Sequence, residues 1–331
     1  MKIVIPVAGA GAKLRPHTYT QPKPLIPLAG KTILSFIMDQ FIEAGMIDFV
    51  FVIGYLGEKI KHFVAEKYPG INASFVVQDQ HSGTGHAVLL TQDLFAPGEE
   101  MLVVYGDTIC EFDLNAVLTS PNSTVGIKKV DDPRDFGVAE LNGHGQILHA
   151  IEKPKIPKSN MALVGIYKIK ETAQLFNIIS EAIQQNAPQE EYTLTQAIDT
   201  LAKSGVIIDT FSVNNWFDCG KKESLLATNA ILLAEAEYAS EEIPFFDNTI
   251  ILHPVSIAKG CLIENSIIGP NVSIGEHAVI RGSMIRDSII GSYSEIKQIA
   301  LHSSLIGSDA SISGASQRLN IGDNTEIDFS K

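Results

Sequence analysis

The sequence is poor in cysteine and contains no long apolar segment. Only three of its 331 residues are cysteines, at positions 110, 219 and 261. So few and widely separated cysteines exclude a disulfide framework and a C-x-x-C zinc site, and they are typical of a reducing compartment. No apolar run approaches the roughly 18 residues that a membrane-spanning helix needs. The short apolar start, residues 1–6, predicts a strand rather than a signal peptide.

Positive charge is also scarce. Lys and Arg together number 25 against 38 Asp and Glu, which gives a formal net charge of −13. A nucleic-acid-binding groove usually needs a basic face, and the sequence has no dense basic run. We therefore predict a cytoplasmic protein with neither a nucleic-acid nor a membrane partner. Small anionic substrates would require a locally basic pocket on this acidic body.

Short apolar strands alternate with amphipathic helices in the first hundred residues. We predict strands at residues 2–7, 49–53, 73–77 and 101–105, and helices at 32–44, 58–67 and 85–90. This alternation indicates right-handed βαβ units and a parallel sheet, which binds ligands at the carboxyl ends of its strands. Three polar segments fall at those ends and can converge on one site: residues 8–28, 78–84 and 106–108.

The pattern changes in the middle of the chain. Shorter strands are predicted between residues 125 and 167, and two helices follow at 172–184 and 195–203. One more strand is predicted at 207–211. A Leu- and Ala-rich helix at 222–238 is predicted to close this domain, for which we predict the limits 1–240.

A short repeat begins after residue 246. Isoleucines recur every five or six residues at positions 257, 263, 268, 274, 280, 285, 290 and 296. This period fits one flat face of a parallel β-helix with an inward aliphatic residue on each face, and we predict such a domain at 247–331. An antiparallel sandwich is the alternative. Because a stacked solenoid exposes flat faces and an end to be capped, we expect it to build a homo-oligomer.

A glycine-rich turn follows the first predicted strand. Gly9 and Gly11 permit positive φ and close backbone approach, so N–H groups of this turn can point at phosphate oxygens. The segment is neither a Walker A loop nor a G-x-G-x-x-G turn, because Leu14 stands where the third glycine is needed. A tight turn without a ligand is the alternative interpretation.

A lysine between two prolines follows ten residues later. Pro22 and Pro24 restrict the backbone on both sides of Lys23, so its ammonium group can act as a fixed positive charge. A solvated surface lysine is the alternative, which the neighbouring glycine-rich turn disfavours.

These motifs, with four others in the same order, resemble the signature of sugar-1-phosphate nucleotidyltransferases. The resemblance covers nearly the whole chain. After the turn and the Pro-Lys-Pro segment come Gln78 with residues 83–87, then residues 105–107. The remaining two motifs are one that combines residues 136–138, 152–154 and 157–167, and one at residues 216–220.

The resemblance implies an α/β fold and a reaction. The fold is a Rossmann-like nucleotidyltransferase domain with a mixed central sheet, followed by a left-handed parallel β-helix. The reaction joins a hexose 1-phosphate, glucose 1-phosphate favoured, to dTTP or UTP and releases pyrophosphate. Asp107 and Asp218 would bind Mg²⁺, which would bridge the reacting phosphates.

The resemblance also assigns roles to further residues. Lys13 would face the triphosphate, whereas Lys23 and Lys153 would hold the sugar phosphate. The nucleotide would be bound by Ala8, Gly9, Gly11, Gln78, Gly83 and Thr84. The sugar would be bound by Gly137, Glu152, Lys153 and Leu163.

Alternatives remain open at this point. The family usually has arginine where this chain has Lys13, and a lysine lacks the planar five-donor fork. A regulatory paralogue that binds a nucleotide sugar without turnover is therefore a second hypothesis. An enzyme that uses other substrates, GTP with mannose or UTP with N-acetylglucosamine, is a further alternative. A third hypothesis makes the repeat an acyltransferase that uses His253, His277 or His302.

Overall fold

The chain divides into two compact units, Met1–Thr228 and Asn229–Lys331. The structure is a computed structural model that describes residues 1–80, 82–185, 191–235, 238–240 and 243–314. Residues 315–331 of the predicted β-helix lie outside the described residues. The unit boundary falls inside a helix, and the limits 1–240 and 247–331 stay a prediction.

The first unit alternates strands and helices. Its strands are β1 (Lys2–Pro6), β2 (Pro27–Leu28), β3 (Lys31–Thr32), β4 (Asp48–Ile53), β5 (Asn72–Val77), β6 (Met101–Val104), β7 (Thr108–Glu111), β8 (Ser123–Lys129), β9 (Gly137–Leu141), β10 (Ile147–Glu152), β11 (Met161–Ile169), β12 (Ile208–Ser212) and β13 (Asn215–Asp218). Its helices are α1 (Ile33–Glu43), α2 (Gly57–Lys67), α3 (Gly83–Leu89), α4 (Leu114–Thr119), α5 (Thr172–Gln185) and α6 (Leu194–Lys203), and α7 (Lys222–Ala234) crosses the unit boundary.

The main sheet of the first unit is mixed. Within the described residues it contains nine strands in the order β10-β9-β11-β6-β1-β4-β5, and β8 pairs with both β11 and β12. The predicted βαβ units are confirmed, because β6, β1, β4 and β5 pair in parallel. In contrast, β11 runs antiparallel to β6, β8 and β9. The strand order reverses at β1. The segments that follow β1, β4, β5 and β6 therefore all lie at the carboxyl edge of these parallel strands.

Local signals explain where the helices begin and end. Thr32 caps α1, since its Oγ1 accepts a hydrogen bond of 3.1 Å from the backbone N–H of Ser35, and Gly45, with φ +80°, follows its end. Thr193 and Gln196 form a reciprocal capping box at the start of α6. None of the described helices combines the length and apolar character that crossing a bilayer requires.

A small two-stranded sheet was not predicted from the sequence. β7 and β13 pair antiparallel, with Asp218 opposite Thr108. The backbone N–H of Cys219 also donates to the carbonyl of Asp107 at 3.2 Å. This pairing brings two segments that are distant in sequence to the edge where β6 ends.

The described part of the second unit contains three parallel sheets of short strands. Their strands are β14 (Ile250–Ile251), β15 (Val255–Ile257), β16 (Leu262–Glu264), β17 (Ile267–Ile268), β18 (Val272–Ile274), β19 (Val279–Arg281), β20 (Met284–Arg286), β21 (Ile289–Ile290), β22 (Glu295–Lys297), β23 (Ala300–His302), β24 (Leu305–Ile306) and β25 (Ser311–Ser313). Each strand pairs in parallel with the strand that comes three strands later in the chain, for example in the sheet β16-β19-β22-β25. This is the arrangement of the predicted left-handed β-helix, and the antiparallel sandwich is wrong.

The predicted isoleucines form the interior of this β-helix. Ile263, Ile280 and Ile296 stand in register on successive coils and are at most 1% exposed. Ile268 and Ile285 do the same on another face, with no exposed surface. Burying one aliphatic side chain on each face of each coil supplies the apolar contact that single short strands lack.

Candidate active site

The glycine-rich turn extends β1 at the carboxyl edge of the sheet. Val7 continues the strand by donating to the carbonyl of Val52 at 2.8 Å. Gly11 then adopts φ +61°, and its carbonyl accepts a 2.9 Å hydrogen bond from Thr18 Oγ1. A Cβ at Gly11 would lie 2.9 Å from the Thr18 methyl group. Both the conformation and the space therefore require glycine at this position.

The lysines of this segment differ in their surroundings. Lys13 is exposed to solvent. Lys23 begins a 3-10 turn that includes Pro24, and its side chain is only 13% exposed. Its Nζ lies 2.6 Å from Oδ2 of Asp107, whose carboxylate is 42% exposed. The ion pair fixes the Lys23 ammonium group at the end of β6, as the hypothesis of a fixed charge requires.

Asp107 and Asp218 share one charged cluster with the two lysines. Burial raises the pKa of Asp218 and the negative charge of Asp107 raises it further, whereas Lys23 and Lys13 oppose the shift. Gly220 leaves space for this carboxylate, because a Cβ there would lie 2.9 Å from Asp218 Oδ1. The structure thus brings together two carboxylates and two ammonium groups from three segments of the chain.

The donor set of this cluster fits Mg²⁺. Magnesium is commonly held by one or two carboxylates together with substrate phosphates and water. Among the described residues, no group of three or more His, Cys, Asp or Glu side chains could enclose a metal ion. Asp107 and Asp218 would be the two carboxylates that hold the ion, and substrate phosphates and water would supply the remaining ligands.

A second group of predicted residues lies around Gly54. A Cβ at Gly54 would be 2.9 Å from the carbonyl oxygen of Ala8 and 3.0 Å from that of Gln78. These two predicted nucleotide-binding residues are therefore neighbours. Gln78 is 7% exposed, and its Nε2 lies 3.2 Å from the carbonyl oxygen of Gly83. The sequence pattern did not single out Gly54, because a lone glycine after a strand usually indicates only a turn.

The side-chain hydroxyl of Thr84 is hydrogen-bonded to other residues of the protein. Its Oγ1 accepts hydrogen bonds from Tyr105 Oη at 3.2 Å and from the backbone N–H of Leu194 at 2.9 Å. The ring of Tyr105 in turn packs against that of Tyr167, with the two centroids 5.7 Å apart. Burial raises the pKa of Tyr105 to about 12, so this buried pair is neutral.

The predicted sugar-binding residues form a third group. Gly137 and Glu152 are paired across β9 and β10. Leu163 is 5% exposed, and its Cδ1 would lie 3.1 Å from a Cβ at Gly137. Lys153 adopts φ +43° and keeps an exposed side chain, with its Nζ 3.7 Å from Glu152 Oε1. These residues therefore share one region.

Thr195 joins this group and was missed by the sequence analysis. Its Oγ1 donates a 2.6 Å hydrogen bond to Glu152 Oε2. The same hydroxyl would lie 2.8 Å from a Cβ at Gly137, and it also interacts with Tyr167. This hydrogen bond connects the first turn of α6 to Glu152 at the end of β10. The roles assigned to all these residues stay predictions, although the structure gathers them at one edge of the sheet.

Comparison with known proteins places this chain in a family. A profile described as nucleotidyl transferase matches residues 2–235. A glucose-1-phosphate thymidylyltransferase of Streptomyces griseus is 29% identical over 369 aligned positions, which cover the whole of both chains. The bifunctional protein GlmU of Methanococcus vannielii is 32% identical over 320 positions, 90% of this chain and 72% of its own.

A solved structure agrees with these relatives. A UDP-glucose pyrophosphorylase complexed with UDP-glucose superposes with a TM-score of 0.61 at 25% identity. The match covers 71% of this chain and 98% of that protein. The fold and the profile match agree, and the chain belongs to the nucleotidyl transferase family.

Proposed function

We propose that this enzyme joins glucose 1-phosphate to dTTP or UTP, with Mg²⁺ as its cofactor, and releases pyrophosphate. The observation that carries the proposal is the cluster of Lys13, Lys23, Asp107 and Asp218 at the carboxyl edge of the sheet. A reaction between two anions needs positive charge and alignment at the point of attack. The cluster supplies both.

The proposed reaction is a single in-line displacement. An oxygen of the sugar phosphate forms a bond to the α-phosphorus, and the bond from that phosphorus to the bridging oxygen of pyrophosphate breaks. The nucleophile is already ionised, so no side chain has to remove a proton. Lys13 faces the triphosphate, and Lys23 neutralises charge on the reacting phosphates. When bound, Mg²⁺ supplies further neutralisation at these oxygens.

The sugar is held at the other side of the site. The Glu152 carboxylate accepts hydrogen bonds from sugar hydroxyls, and the backbone N–H of Gly137 donates one. The exposed Lys153 reaches the sugar phosphate. Thr195 fixes one carboxylate oxygen of Glu152 and leaves the other for the substrate.

The choice of substrates rests on the relatives and on Gln78. The relatives from Streptomyces griseus and Streptomyces antibioticus carry the name glucose-1-phosphate thymidylyltransferase. The matched pyrophosphorylase structure contains UDP-glucose. The amide of Gln78, beside Ala8 and Gly83, provides hydrogen-bonding groups for a pyrimidine edge. Because its substrates are cytoplasmic metabolites, we place the enzyme in the cytoplasm, and we propose that it works as a homo-oligomer.

A substrate matrix tests this proposal. The purified protein is given Mg²⁺, each common nucleoside triphosphate and each of several hexose 1-phosphates, and pyrophosphate release is measured. We expect the fastest release with glucose 1-phosphate and either dTTP or UTP. D107N and D218N should each reduce this rate at least about a hundredfold, whereas D93N, at an exposed acid outside the site, should not. A wild-type protein that releases no pyrophosphate from any pair contradicts the proposal.

A further inference from the structure

The side-chain amide of Gln78 is held in one orientation by two acceptors. Its Nε2 lies 3.2 Å from the carbonyl oxygen of Gly83 and 3.1 Å from Nδ1 of His86. A carbonyl oxygen can only accept, so the amide group that faces it must be the nitrogen. An amide nitrogen has two hydrogens, and these two contacts use both.

This arrangement determines the tautomer of His86. Because Gln78 donates to Nδ1, the imidazole must accept there and carry its own hydrogen on Nε2. The ring is neutral in this state. Burial lowers the pKa of His86, which favours the same neutral form.

The other acceptor is fixed by the backbone around it. Gly83 adopts φ +91°, and a Cβ there would lie 2.4 Å from the carbonyl oxygen of Tyr192. Tyr192 donates from its N–H to Ser82 at 3.0 Å and accepts from the N–H of Gly85 at 2.9 Å. These backbone contacts fix the position of the Gly83 carbonyl at the start of α3. They therefore also fix where the Gln78 amide donates its hydrogen bond.

The oxygen of the Gln78 amide remains available to a ligand. Within the described residues, no hydrogen bond engages Oε1, whereas Nε2 makes two. The side chain can thus offer a base only an acceptor. Uracil and thymine carry a hydrogen on ring N3, but cytosine has a lone pair there. An acceptor fixed at this place attracts the first two bases and repels the third.

We propose that His86 is a positioning residue that locks the Gln78 amide with Oε1 towards the bound base, so that the enzyme selects uracil or thymine over cytosine. The inference rests on the proposed function in one respect, namely that Gln78 meets the base. It adds the residue that sets the polarity of this contact. His86 acts through its contact with Gln78.

Equilibrium binding of UTP and CTP tests the proposal, because these nucleotides differ only in the base. Affinities are measured by calorimetry with Mg²⁺ and without sugar phosphate, on the full chain. We expect the wild type to prefer UTP by about tenfold or more. In H86L only the Gly83 contact orients the amide, so the preference should fall by about three- to tenfold. In H86N an amide oxygen can replace the Nδ1 acceptor, and the preference should stay within about twofold of the wild type.

Two results would overturn the inference. One is a wild type without preference for UTP, and the other is an H86L variant that weakens both nucleotides equally and keeps their ratio. Nitrogen-15 NMR of the histidine-labelled protein adds a readout without substrate, with H86N identifying the His86 signals. We expect an unprotonated Nδ1, and a protonated Nδ1 contradicts the lock. If the protein releases no pyrophosphate but still prefers UTP to CTP, the proposed function is contradicted and the role of His86 is not.

Discussion

The Nζ atom of Lys23 lies 2.6 Å from Oδ2 of Asp107, across 84 positions of sequence. The lysine comes from the segment after the glycine-rich turn, and the aspartate comes from the end of β6. Burial leaves the lysine 13% exposed, so its charge is held close to the site of the proposed reaction. This ion pair connects the predicted phosphate-binding segment to the predicted metal-binding segment.

Removing the Lys23 charge should impair catalysis much more than folding. We expect K23A to lower kcat/KM by about a hundredfold to a thousandfold, because a fixed charge at the reacting phosphates is lost. Its free energy of unfolding should change by less than about 1 kcal/mol, since Asp107 is partly exposed and can be solvated. Pyrophosphate release and urea unfolding measure the two effects. K155A, at an exposed lysine, is the control, and equal activity of K23A and K155A contradicts the assigned role.

Lys13 offers a test between an active enzyme and a binding paralogue. K13A should lower kcat by about a hundredfold, because the charge facing the triphosphate disappears. K13R should raise kcat by a few-fold to about tenfold, since a guanidinium group can contact two phosphate oxygens at once. Steady-state kinetics with saturating nucleotide measure both. If the wild type binds a nucleotide sugar, and neither it nor K13A nor K13R releases pyrophosphate, the binding paralogue is favoured.

Thr195 should affect the sugar side alone. T195V removes the hydroxyl that donates to Glu152 Oε2 at 2.6 Å and keeps the shape of the side chain. We expect the KM for the sugar phosphate to rise about tenfold, because the carboxylate is no longer held. The KM for the nucleotide should stay unchanged. T195S keeps the donor and should restore the sugar KM, and a rise in both KM values in T195V would point to a structural role.

The sequence predicted the fold well where periodicity is strong. The alternation up to residue 105 predicts the parallel strands β1, β4, β5 and β6 because buried strands and amphipathic helices have distinct periods. The repeat of isoleucines predicts the β-helix for the same reason. β7 and β13 were missed, since a four-residue strand that pairs with a distant partner carries no local periodicity.

The site was predicted to the extent that its chemistry depends on residue type and order. Asp107 and Asp218 could be proposed as a pair because carboxylates suit Mg²⁺, yet their proximity depends on the unpredicted β7–β13 pairing. Thr195 was not singled out, and His86, within the matched residues 83–87, was given no role, for another reason. Each acts through a hydrogen bond to a second side chain, and such a partner is defined only by the folded structure.

The affinity for the nucleotide should depend on pH through His86. Protonation would place a hydrogen on Nδ1, opposite the Gln78 amide nitrogen, and break the contact at 3.1 Å. Burial lowers the pKa of His86 below its usual 6.5, so the affinity for UTP should be constant above about pH 6.5 and fall below it. The unfolded state binds more protons in that range, so the free energy of unfolding should also decrease as the pH falls.

Comparison with H86N separates this effect from other titrations. The nucleotide phosphates and His17, whose pKa is also lowered by burial, titrate in both proteins. The difference between wild type and H86N in UTP affinity should therefore appear only below about pH 6.5. Calorimetric titrations at several pH values measure it, and parallel pH profiles of the two proteins contradict the assignment.

Gly54 should be required for the geometry of the nucleotide site. A Cβ in G54A would lie 2.9 Å from the carbonyl oxygen of Ala8 and 3.0 Å from that of Gln78. Both neighbours are backbone atoms and cannot rotate away, so β1 or β5 must shift at its carboxyl end. We expect the free energy of unfolding to decrease by about 1–3 kcal/mol and the KM for the nucleotide to rise.

The matched control for this substitution is G143A. A Cβ at Gly143 would meet nothing within 4 Å, and Gly143 does not adopt positive φ. The substitution should therefore leave stability and nucleotide KM unchanged, or raise stability slightly by restricting the unfolded chain. Urea unfolding and steady-state kinetics of the two variants are compared side by side. Equal behaviour would mean that the sheet edge yields to an extra methyl group and that close approach at Gly54 does not position Ala8 and Gln78.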